Sequence, residues 1–501
     1  MRPVARAIGV VLTGSALVLT AGAASARPAD TGVGQTAREV AAIDWEPCIE
    51  DLTAECGTLR LPIDHQKPSV GEFDLAVARR KATDPAGRIG VLLINPGGPG
   101  NSGVDYTIFR QESFSADVRA RFDIVGFDPR GVRRTQPVRC STDLVQRQPS
   151  TYPKTEAEFD DLVSYNRELR EDCRERSGPI FDHTDTGATI QDMDAIRRSL
   201  GEKKINYYGL SYGTLMGQQY AERYGDKIRA MVLDSNMDHS LGTTSFAVTE
   251  AKAAEGAFTE WAKWCDRTTS CALHGKDVTE VWDGLLAKAD RGEVRHPGDP
   301  SKTLTAQDIV TSALGAFHRP AWGPLAQFVA DLDARQPTQV SAFAADEVVD
   351  NVFPSVFCED WHLPVRDFTE YRALVAAERG VSPHMRGGGR AHSSITACLG
   401  WPDPVNNRQH RLDIDNAPKI LMVNALYDPA TAYSWAANAH RQTRGTTMLL
   451  TYEGWGHGVY GRSACVDTAV DTYLATVKTP KLNARCAAVE PASVAGETFP
   501  R

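Results

Sequence analysis

One serine of this 501-residue chain stands in a pattern that serves nucleophilic catalysis. Residues 209–213 read Gly-Leu-Ser-Tyr-Gly, after the apolar run 205–208 and before a helix-compatible segment that starts at Thr214. A Gly-x-Ser-x-Gly sequence between a strand and a helix is typical of a nucleophile elbow, a sharp turn that exposes the serine hydroxyl. The helix N-terminus at this turn favours a developing negative charge. We therefore predict that Ser211 is a catalytic nucleophile.

A serine hydroxyl needs a base that removes its proton, and His457 is the candidate. The chain has twelve histidines. His457 stands apart because it lies in a glycine-flanked loop, Gly-Trp-Gly-His-Gly at 454–458, after the apolar run 447–450. A loop in this position can hold an imidazole over the nucleophile, so we predict that His457 is the general base.

An acid must orient the imidazole and stabilise its positive charge. Asp428 follows the apolar run 420–423. Asp413 and Asp415 are rivals, but they precede that run and would lie at the opposite end of the sheet. The chain order of nucleophile, acid and base is then the order expected of α/β-hydrolases. We predict that Asp428 completes the triad.

An oxyanion hole needs two backbone N–H groups that point at the substrate carbonyl. The N–H of Tyr212 is one candidate, because this residue follows the predicted nucleophile. Residues 96–100, Pro-Gly-Gly-Pro-Gly, follow the apolar run 91–94 and supply the other. A plain turn would also explain these residues, but their agreement with the other predicted elements favours an oxyanion hole, with Gly98 as its donor.

The elements that must position these residues are predicted from short apolar runs that end at turn residues. The runs are 91–94, 122–127, 205–208, 231–233, 420–423 and 447–450. Such runs are typical of parallel strands that are buried on both faces, and helical patterns such as 190–200 and 215–223 lie between them. Alternating stretches at 58–63 and 73–78 predict antiparallel strands before the series. The predicted class is α/β, an α/β-hydrolase fold with a mostly parallel central sheet.

This regularity breaks at 236–412, where amphipathic helical patterns replace the strand series. We predict an inserted, mainly helical cap there, between a first core part at 41–235 and a C-terminal core part at 413–501. The alternative is an independent domain in series. Strand-like runs that resume after 418 argue against it, because the sheet needs both flanks.

The N-terminus has the composition of an export signal. Arg2 and Arg6 precede an apolar run at 8–19, and Ala-Ser-Ala at 24–26 matches a cleavage site. A membrane anchor is the alternative, but the run is shorter than the roughly 20 residues of a membrane span. We predict a signal peptide at 1–26 that is cleaved near Ala26, a flexible leader at 27–40, and a secreted protein without a membrane span.

The ten cysteines of an exported chain favour disulfides over free thiols. They occur as near neighbours along the sequence, and we hypothesise sequential pairing. A metal site is the rival hypothesis, but no Cys-x-x-Cys or His-x-x-x-His pair occurs, so we predict no metal. We predict no cofactor either. The formal net charge of -9, without dense Lys or Arg clusters, excludes a phosphate-tracking surface for nucleic acid.

The motifs occur in an order that resembles the secreted tripeptidyl aminopeptidases, which are relatives of the proline iminopeptidases. The resembling segments begin with Asn-Pro-Gly-Gly-Pro-Gly at 95–100 and Gly-Phe-Asp-Pro-Arg-Gly at 126–131, and continue through the predicted nucleophile, acid and base. The resemblance implies a serine exopeptidase that releases short peptides, often tripeptides, from substrates with a free N-terminus. A secreted carboxylesterase with the same triad, or a hydrolase homologue that only binds peptides, are the alternatives.

An exopeptidase of this kind needs a carboxylate for the α-ammonium group of its substrate, because burying that amine unpaired is unfavourable. Residues 357–361, Phe-Cys-Glu-Asp-Trp, match a Cys-x-Asp pattern seen in the resembling enzymes. The resemblance thus implies Glu359 and Asp360 as amine-binding residues. Two solvated acids beside a disulfide would be the structural alternative.

Overall fold

Ten strands form the central sheet of the protein, which a computed structural model describes over residues 42–297, 299–334, 348–402 and 405–491. The predicted signal peptide and leader lie outside the described residues. The strands in chain order are β1 (Glu46–Pro47), β2 (Glu55–Pro62), β3 (Glu72–Arg80), β4 (Gly90–Asn95), β5 (Phe122–Phe127), β6 (Arg139–Ser141), β7 (Ile205–Leu210), β8 (Ile228–Asp234), β9 (Arg295–His296), β10 (Asp299–Thr303), β11 (Val348–Asp350), β12 (Ile420–Tyr427), β13 (Thr447–Trp455) and β14 (Arg485–Cys486).

The central sheet has the order β1-β2-β3-β5-β4-β7-β8-β12-β13-β14. The seven strands β5, β4, β7, β8, β12, β13 and β14 pair in parallel. At one edge, β3 pairs antiparallel with β5, and β2 and β1 continue this edge by antiparallel pairing. Every residue of β4 and β5 is buried, as expected of parallel strands that are covered on both faces. In β2, by contrast, Leu59 and Leu61 are buried while Arg60 between them is exposed. The predicted mostly parallel α/β sheet is confirmed.

Helices cover the sheet and connect its strands. They are α1 (Gly103–Phe109), α2 (Ala116–Arg121), α3 (Thr142–Gln146), α4 (Glu156–Ser177), α5 (Thr186–Ser199), α6 (Tyr212–Tyr224), α7 (Thr243–Arg267), α8 (Val278–Asp290), α9 (Ala306–His318), α10 (Trp322–Ala334), α11 (Val352–Asp360), α12 (Phe368–Val381), α13 (Arg390–Ala397), α14 (Tyr433–Gln442) and α15 (Ala464–Thr476). The predicted helical patterns at 190–200 and 215–223 correspond to α5 and α6.

The chain between β8 and β12 is mainly helical and contains α7 to α13. Yet β8 and β12 are neighbours in the sheet, with Val232 opposite Leu421. The helices are therefore inserted between two adjacent strands of one sheet. Aromatic side chains from α7 to α10 build a hydrophobic cluster of their own, formed around Phe258, Trp261, Trp264, Trp282, Phe317 and Trp322. The outer bounds of the cap at 236 and 412 remain a prediction.

All ten cysteines lie within the described ranges and form five disulfides. The pairs are Cys48–Cys56, Cys140–Cys173, Cys265–Cys271, Cys358–Cys398 and Cys465–Cys486. The hypothesis of sequential pairing is thus confirmed.

No helix within the described part of the chain is both long and apolar enough to span a bilayer.

Candidate active site

Ser211 lies at the turn between β7 and α6, with φ 58° and ψ -122°. A serine pays about 1–3 kcal/mol for such a backbone conformation, so the surrounding structure must enforce it. The two motif glycines are required by close packing, since a Cβ on Gly213 would lie 2.6 Å from the carbonyl oxygen of Asn95. A Cβ on Gly209 would lie 2.4 Å from the carbonyl oxygen of Gly213. The strained turn is the geometry that a nucleophile elbow requires.

His457 and Asp428 are in direct contact. The Nδ1 atom of His457 lies 3.0 Å from both carboxylate oxygens of Asp428, which is fully buried. The same carboxylate accepts hydrogen bonds from the backbone N–H groups of Ala430 and Thr431 and from the Thr431 hydroxyl. Burial opposes ionisation of Asp428, but the charge and hydrogen bond of His457 and the N–H donors outweigh it and lower its pKa. An ionised Asp428 holds a proton on Nδ1, which leaves Nε2 of His457 free to act as a base.

The loop of His457 is anchored to the end of β8. The Asp234 carboxylate accepts the backbone N–H groups of Val459 and Tyr460, and the Ser235 hydroxyl accepts that of Gly458. On the cap side, the N–H of His457 itself donates to the carbonyl of His318 at 2.9 Å. The general-base candidate is thus held from both the sheet and the cap.

The oxyanion-hole candidates lie on either side of Ser211. Gly97 approaches the elbow so closely that a Cβ on it would lie 2.4 Å from the carbonyl oxygen of Leu210. The N–H of Gly97 donates to the Asn95 side chain at 2.8 Å, so it is already used. Gly98 and Tyr212 both line the cavity that contains Ser211. Their N–H groups therefore remain the candidates for binding an oxyanion.

Ser211 and His457 open into one cavity of about 420 Å³. The helical insertion contributes apolar side chains to its wall, among them Phe246 of α7 and Phe353 and Phe357 of α11. The remaining lining residues are Pro96, Gly98, Pro99, Asn101, Leu210, Tyr212, Met237, His318, Arg319, Arg390, Ala391, Ser393, Ser394, Ala430, Thr431 and Trp435. A cleft that combines aromatic side chains with polar and basic groups suits a small acyl or peptide substrate.

Glu359 and Asp360 do not line this cavity, although the resemblance implied that they bind the substrate amine. Asp360 is fully buried and accepts hydrogen bonds from the Tyr212 hydroxyl at 2.6 Å, the Asn407 amide at 2.7 Å, and both the N–H and the hydroxyl of Thr186. Burial, reinforced by Asp185, raises the pKa of Asp360 to about 7. Both carboxylate oxygens of Asp360 therefore already accept hydrogen bonds from protein groups, including the Tyr212 hydroxyl, on the side of the elbow away from the cavity.

Glu359 is also buried, and burial raises its pKa to about 7. The alternative of two solvated acids is therefore wrong, although the disulfide beside them, Cys358–Cys398, is present.

The sequence analysis missed three residues of the cavity wall, His318, Arg319 and Arg390. No motif marks them, because they come from the ends of helices in the insertion.

Comparison with known proteins agrees with this architecture. A family model described as TAP-like protein (Abhydrolase_4) matches residues 384–486, the part of the chain that contains Asp428 and His457. The tripeptidyl aminopeptidase of Streptomyces lividans is 31% identical, over 92% of this chain and 89% of its own length. The serine protease Hip1 of Mycobacterium tuberculosis is 29% identical, over 96% of each chain.

A third relative, carboxylesterase B of Mycobacterium tuberculosis, is 32% identical, over 97% of this chain and 98% of its own. These relatives include peptidases and an esterase, and each aligns along nearly the whole chain. The protein is a serine hydrolase and belongs to the tripeptidyl aminopeptidase family of α/β-hydrolases.

Proposed function

We propose that Ser211, His457 and Asp428 are the catalytic triad of a secreted serine exopeptidase, which releases short peptides, most often tripeptides, from free N-termini. The observation that carries the triad is the contact of His457 Nδ1 with buried Asp428 at 3.0 Å, in a loop that shares one cavity with the strained Ser211. The exopeptidase activity is supported by the Streptomyces tripeptidyl aminopeptidase among the relatives.

The proposed reaction has two halves. Nε2 of His457 takes the hydroxyl proton of Ser211 as Oγ attacks the peptide carbonyl, and the N–H groups of Gly98 and Tyr212 bind the oxyanion that forms. His457 then gives its proton to the leaving amine, and an acyl-enzyme remains on Ser211. A water molecule that His457 deprotonates attacks the ester carbonyl, and His457 then returns the proton to Oγ of Ser211 as the acyl part leaves as a carboxylic acid. Asp428 stabilises the imidazolium in both halves.

The proposal of secretion is supported by two features. The residues 1–26 have the composition of a signal peptide with cleavage near Ala26. The five disulfides fit a protein that folds in an oxidising compartment.

A carboxylesterase is the second candidate function. One specific observation favours it. Among the described residues, no Asp or Glu lines the cavity beside Ser211, so no carboxylate there can bind a substrate ammonium group. Carboxylesterase B among the relatives supports the same candidate.

Three substrates distinguish the candidates: a tripeptide anilide with a free amine, its N-acetylated form and a short acyl p-nitrophenyl ester. An exopeptidase hydrolyses the free tripeptide at least about 100-fold faster than the acetylated one, a difference of about 2.7 kcal/mol in activation free energy. Equal rates on the two peptides would contradict an exopeptidase, and fast turnover of the ester alone would establish the esterase.

Labelling with a fluorophosphonate tests the triad itself, and we expect the label to be lost in Ser211→Ala. A folded wild-type protein that resists labelling would favour a homologue that only binds peptides.

A further inference from the structure

Among the described residues, the cavity wall carries arginine and histidine side chains but no carboxylate. Arg319, which follows α9, and Arg390, at the start of α13, line the same cavity as Ser211. Within the described ranges, no acidic side chain joins them on the wall. The substrate therefore meets a cationic surface as it approaches the nucleophile.

The two guanidinium groups are not neutralised by neighbouring acids. Among the described residues, neither Arg319 nor Arg390 forms an ion pair with a carboxylate. Arg386, four residues before Arg390, shows the contrast, because it pairs with Asp290 at 2.6 Å. Both arginines are exposed, so their charges are available to a ligand in the cavity.

The buried acid behind Arg390 is directed at the helix backbone. Glu250 of α7 accepts the N–H groups of Arg390 and Ala391, at 2.8 and 3.2 Å, and so caps α13. It is almost fully buried, and burial raises its pKa to about 8. At neutral pH the carboxyl of Glu250 is therefore mostly protonated and does little to offset the charge of the arginine.

The nearby His318 adds no charge to the cavity wall. His318 lies with its ring centre 5.0 Å from that of His457. Burial, followed by the neighbouring His457, holds the pKa of His318 well below its ordinary value, so it is neutral. Among the described residues that line the cavity, Arg319 and Arg390 therefore carry the fixed charge, whereas the carboxylate of Asp428 is buried and does not line the wall.

We infer that Arg319 and Arg390 are specificity residues, which bind a carboxylate of the substrate close to the carbonyl that Ser211 attacks. Arginine suits this role because its planar fork donates two parallel hydrogen bonds to a carboxylate. A basic substrate group in the same place would meet two like charges. The inference rests on the proposed hydrolytic function and refines its substrate class: acidic substrates are preferred over neutral ones, and neutral over basic ones.

The carboxylate has two possible sources, the side chain of the residue whose carbonyl is attacked and the C-terminus of a short leaving peptide. The first is tested with the anilides Ala-Ala-Glu, Ala-Ala-Gln and Ala-Ala-Lys. The second is tested with Ala-Ala-Ala-Ala as its free acid and as its C-terminal amide, with products measured by mass spectrometry. We expect kcat/KM to favour the acidic member of at least one series about 10-fold over the neutral one, and glutamate about 100-fold over lysine if the side chain is the source.

The double variant Arg319→Gln/Arg390→Gln reduces this preference to within about 2-fold of unity, and each single variant gives an intermediate ratio. Arg372→Gln is the matched control, since Arg372 is an arginine of α12 that lines a different cavity. Its ratio stays at the wild-type value. Raising the NaCl concentration lowers the wild-type preference, because exposed charges are screened by salt. Melting temperatures verify that all variants fold.

A binding measurement separates failure of this inference from failure of the proposed exopeptidase. If the side chain is the source, Ala-Ala-Glu protects Ser211 from fluorophosphonate labelling at about 10-fold lower concentration than Ala-Ala-Gln, whether or not any peptide is hydrolysed. Equal protection together with equal kcat/KM in both substrate series overturns the carboxylate site, and so does a preference for lysine. Protection by glutamate without peptide hydrolysis supports the site and overturns the exopeptidase.

Discussion

The backbone N–H of Ser211 donates to the carbonyl oxygen of Asp234 at a distance of 2.9 Å. The carboxylate of the same aspartate accepts the N–H groups of Val459 and Tyr460, which follow His457 in its loop. One buried residue at the end of β8 therefore links the turn of the proposed nucleophile to the loop of the proposed base. The end of β8 in the central sheet therefore fixes the position of the Ser211 turn relative to the His457 loop.

Asp234→Asn should lower kcat about 10- to 100-fold with little change in KM, because an amide leaves backbone N–H groups facing its own NH2 and each unpaired donor costs about 1–3 kcal/mol. Steady-state kinetics on a p-nitrophenyl ester measure this. Tyr208→Phe, which removes only one hydroxyl donor to Asp234, should have a smaller effect. An unchanged kcat in Asp234→Asn would mean that the loop is held by other contacts.

Asp428→Asn should reduce kcat about 10⁴-fold, because the amide no longer selects the imidazole tautomer that leaves Nε2 free. Thr431→Val removes one hydroxyl donor to that carboxylate and keeps the side-chain shape, so we expect a loss of about 10-fold. The two variants are compared with wild type at saturating substrate. More than a tenth of wild-type activity in Asp428→Asn would contradict its proposed role.

Gly97→Ala should lower activity at least about 100-fold, since a displacement of about 1 Å near reacting groups has effects of that size. A Cβ at this position would contact the carbonyl of Leu210 and lie 2.9 Å from the Cβ of Ser211, and φ is +82°. The control is Gly284→Ala in helix α8, where a Cβ meets no atom within 4 Å. This change should stabilise the protein by about 0.5–1 kcal/mol and leave kcat unaltered, as thermal unfolding and kinetics would show.

Glu250 should make stability fall as pH rises. Its folded-state pKa is about 8, against an ordinary value of 4.5, so the folded protein retains a proton that the unfolded chain releases. Its contribution to the free energy of unfolding is complete below pH 4.5 and is lost by about 1.4 kcal/mol per pH unit as pH rises towards 8.

Glu250→Gln removes this titration. Between pH 5 and pH 8, the wild type should therefore lose up to about 4 kcal/mol more unfolding free energy than the variant, as measured by urea denaturation at both pH values. Parallel pH dependences for the two proteins would show that Glu250 does not retain its proton.

Removing the Cys358–Cys398 disulfide should destabilise the protein by about 4 kcal/mol, because it closes a 40-residue loop in the unfolded chain. The matched variant lacks Cys265–Cys271, which closes only six residues, and should lose about 2 kcal/mol. Both are compared as double alanine variants by denaturant unfolding. Equal losses would indicate that native-state packing outweighs loop entropy.

The sheet and the proposed triad could be predicted because their signals are local. An apolar run that ends at a turn predicts a buried parallel strand, and Ser211, Asp428 and His457 each follow such a run. The carboxyl ends of parallel strands meet at one edge of the sheet, so the sequence places all three residues at that edge.

The roles of the cap residues could not be predicted in this way. Glu359 and Asp360 lie in a motif, but their contacts depend on how α11 packs against Tyr212, which turns Asp360 towards the back of the elbow. Arg319 follows α9 and Arg390 begins α13, and the two share no motif. Their presence on one wall follows from tertiary packing of the insertion.

The pairing of each cysteine with the next one along the chain also bears on how the protein acquires its covalent structure. In the export proposed above, each cysteine that emerges after an unpaired one is the native partner of that cysteine. No bridge has to wait for a distant part of the chain, and none links the strands before the insertion to those after it. In the proposed exported protein, each pair can therefore oxidise as soon as its second cysteine has emerged, whereas the noncovalent pairing of β12 with β8 needs the chain on both sides of the insertion.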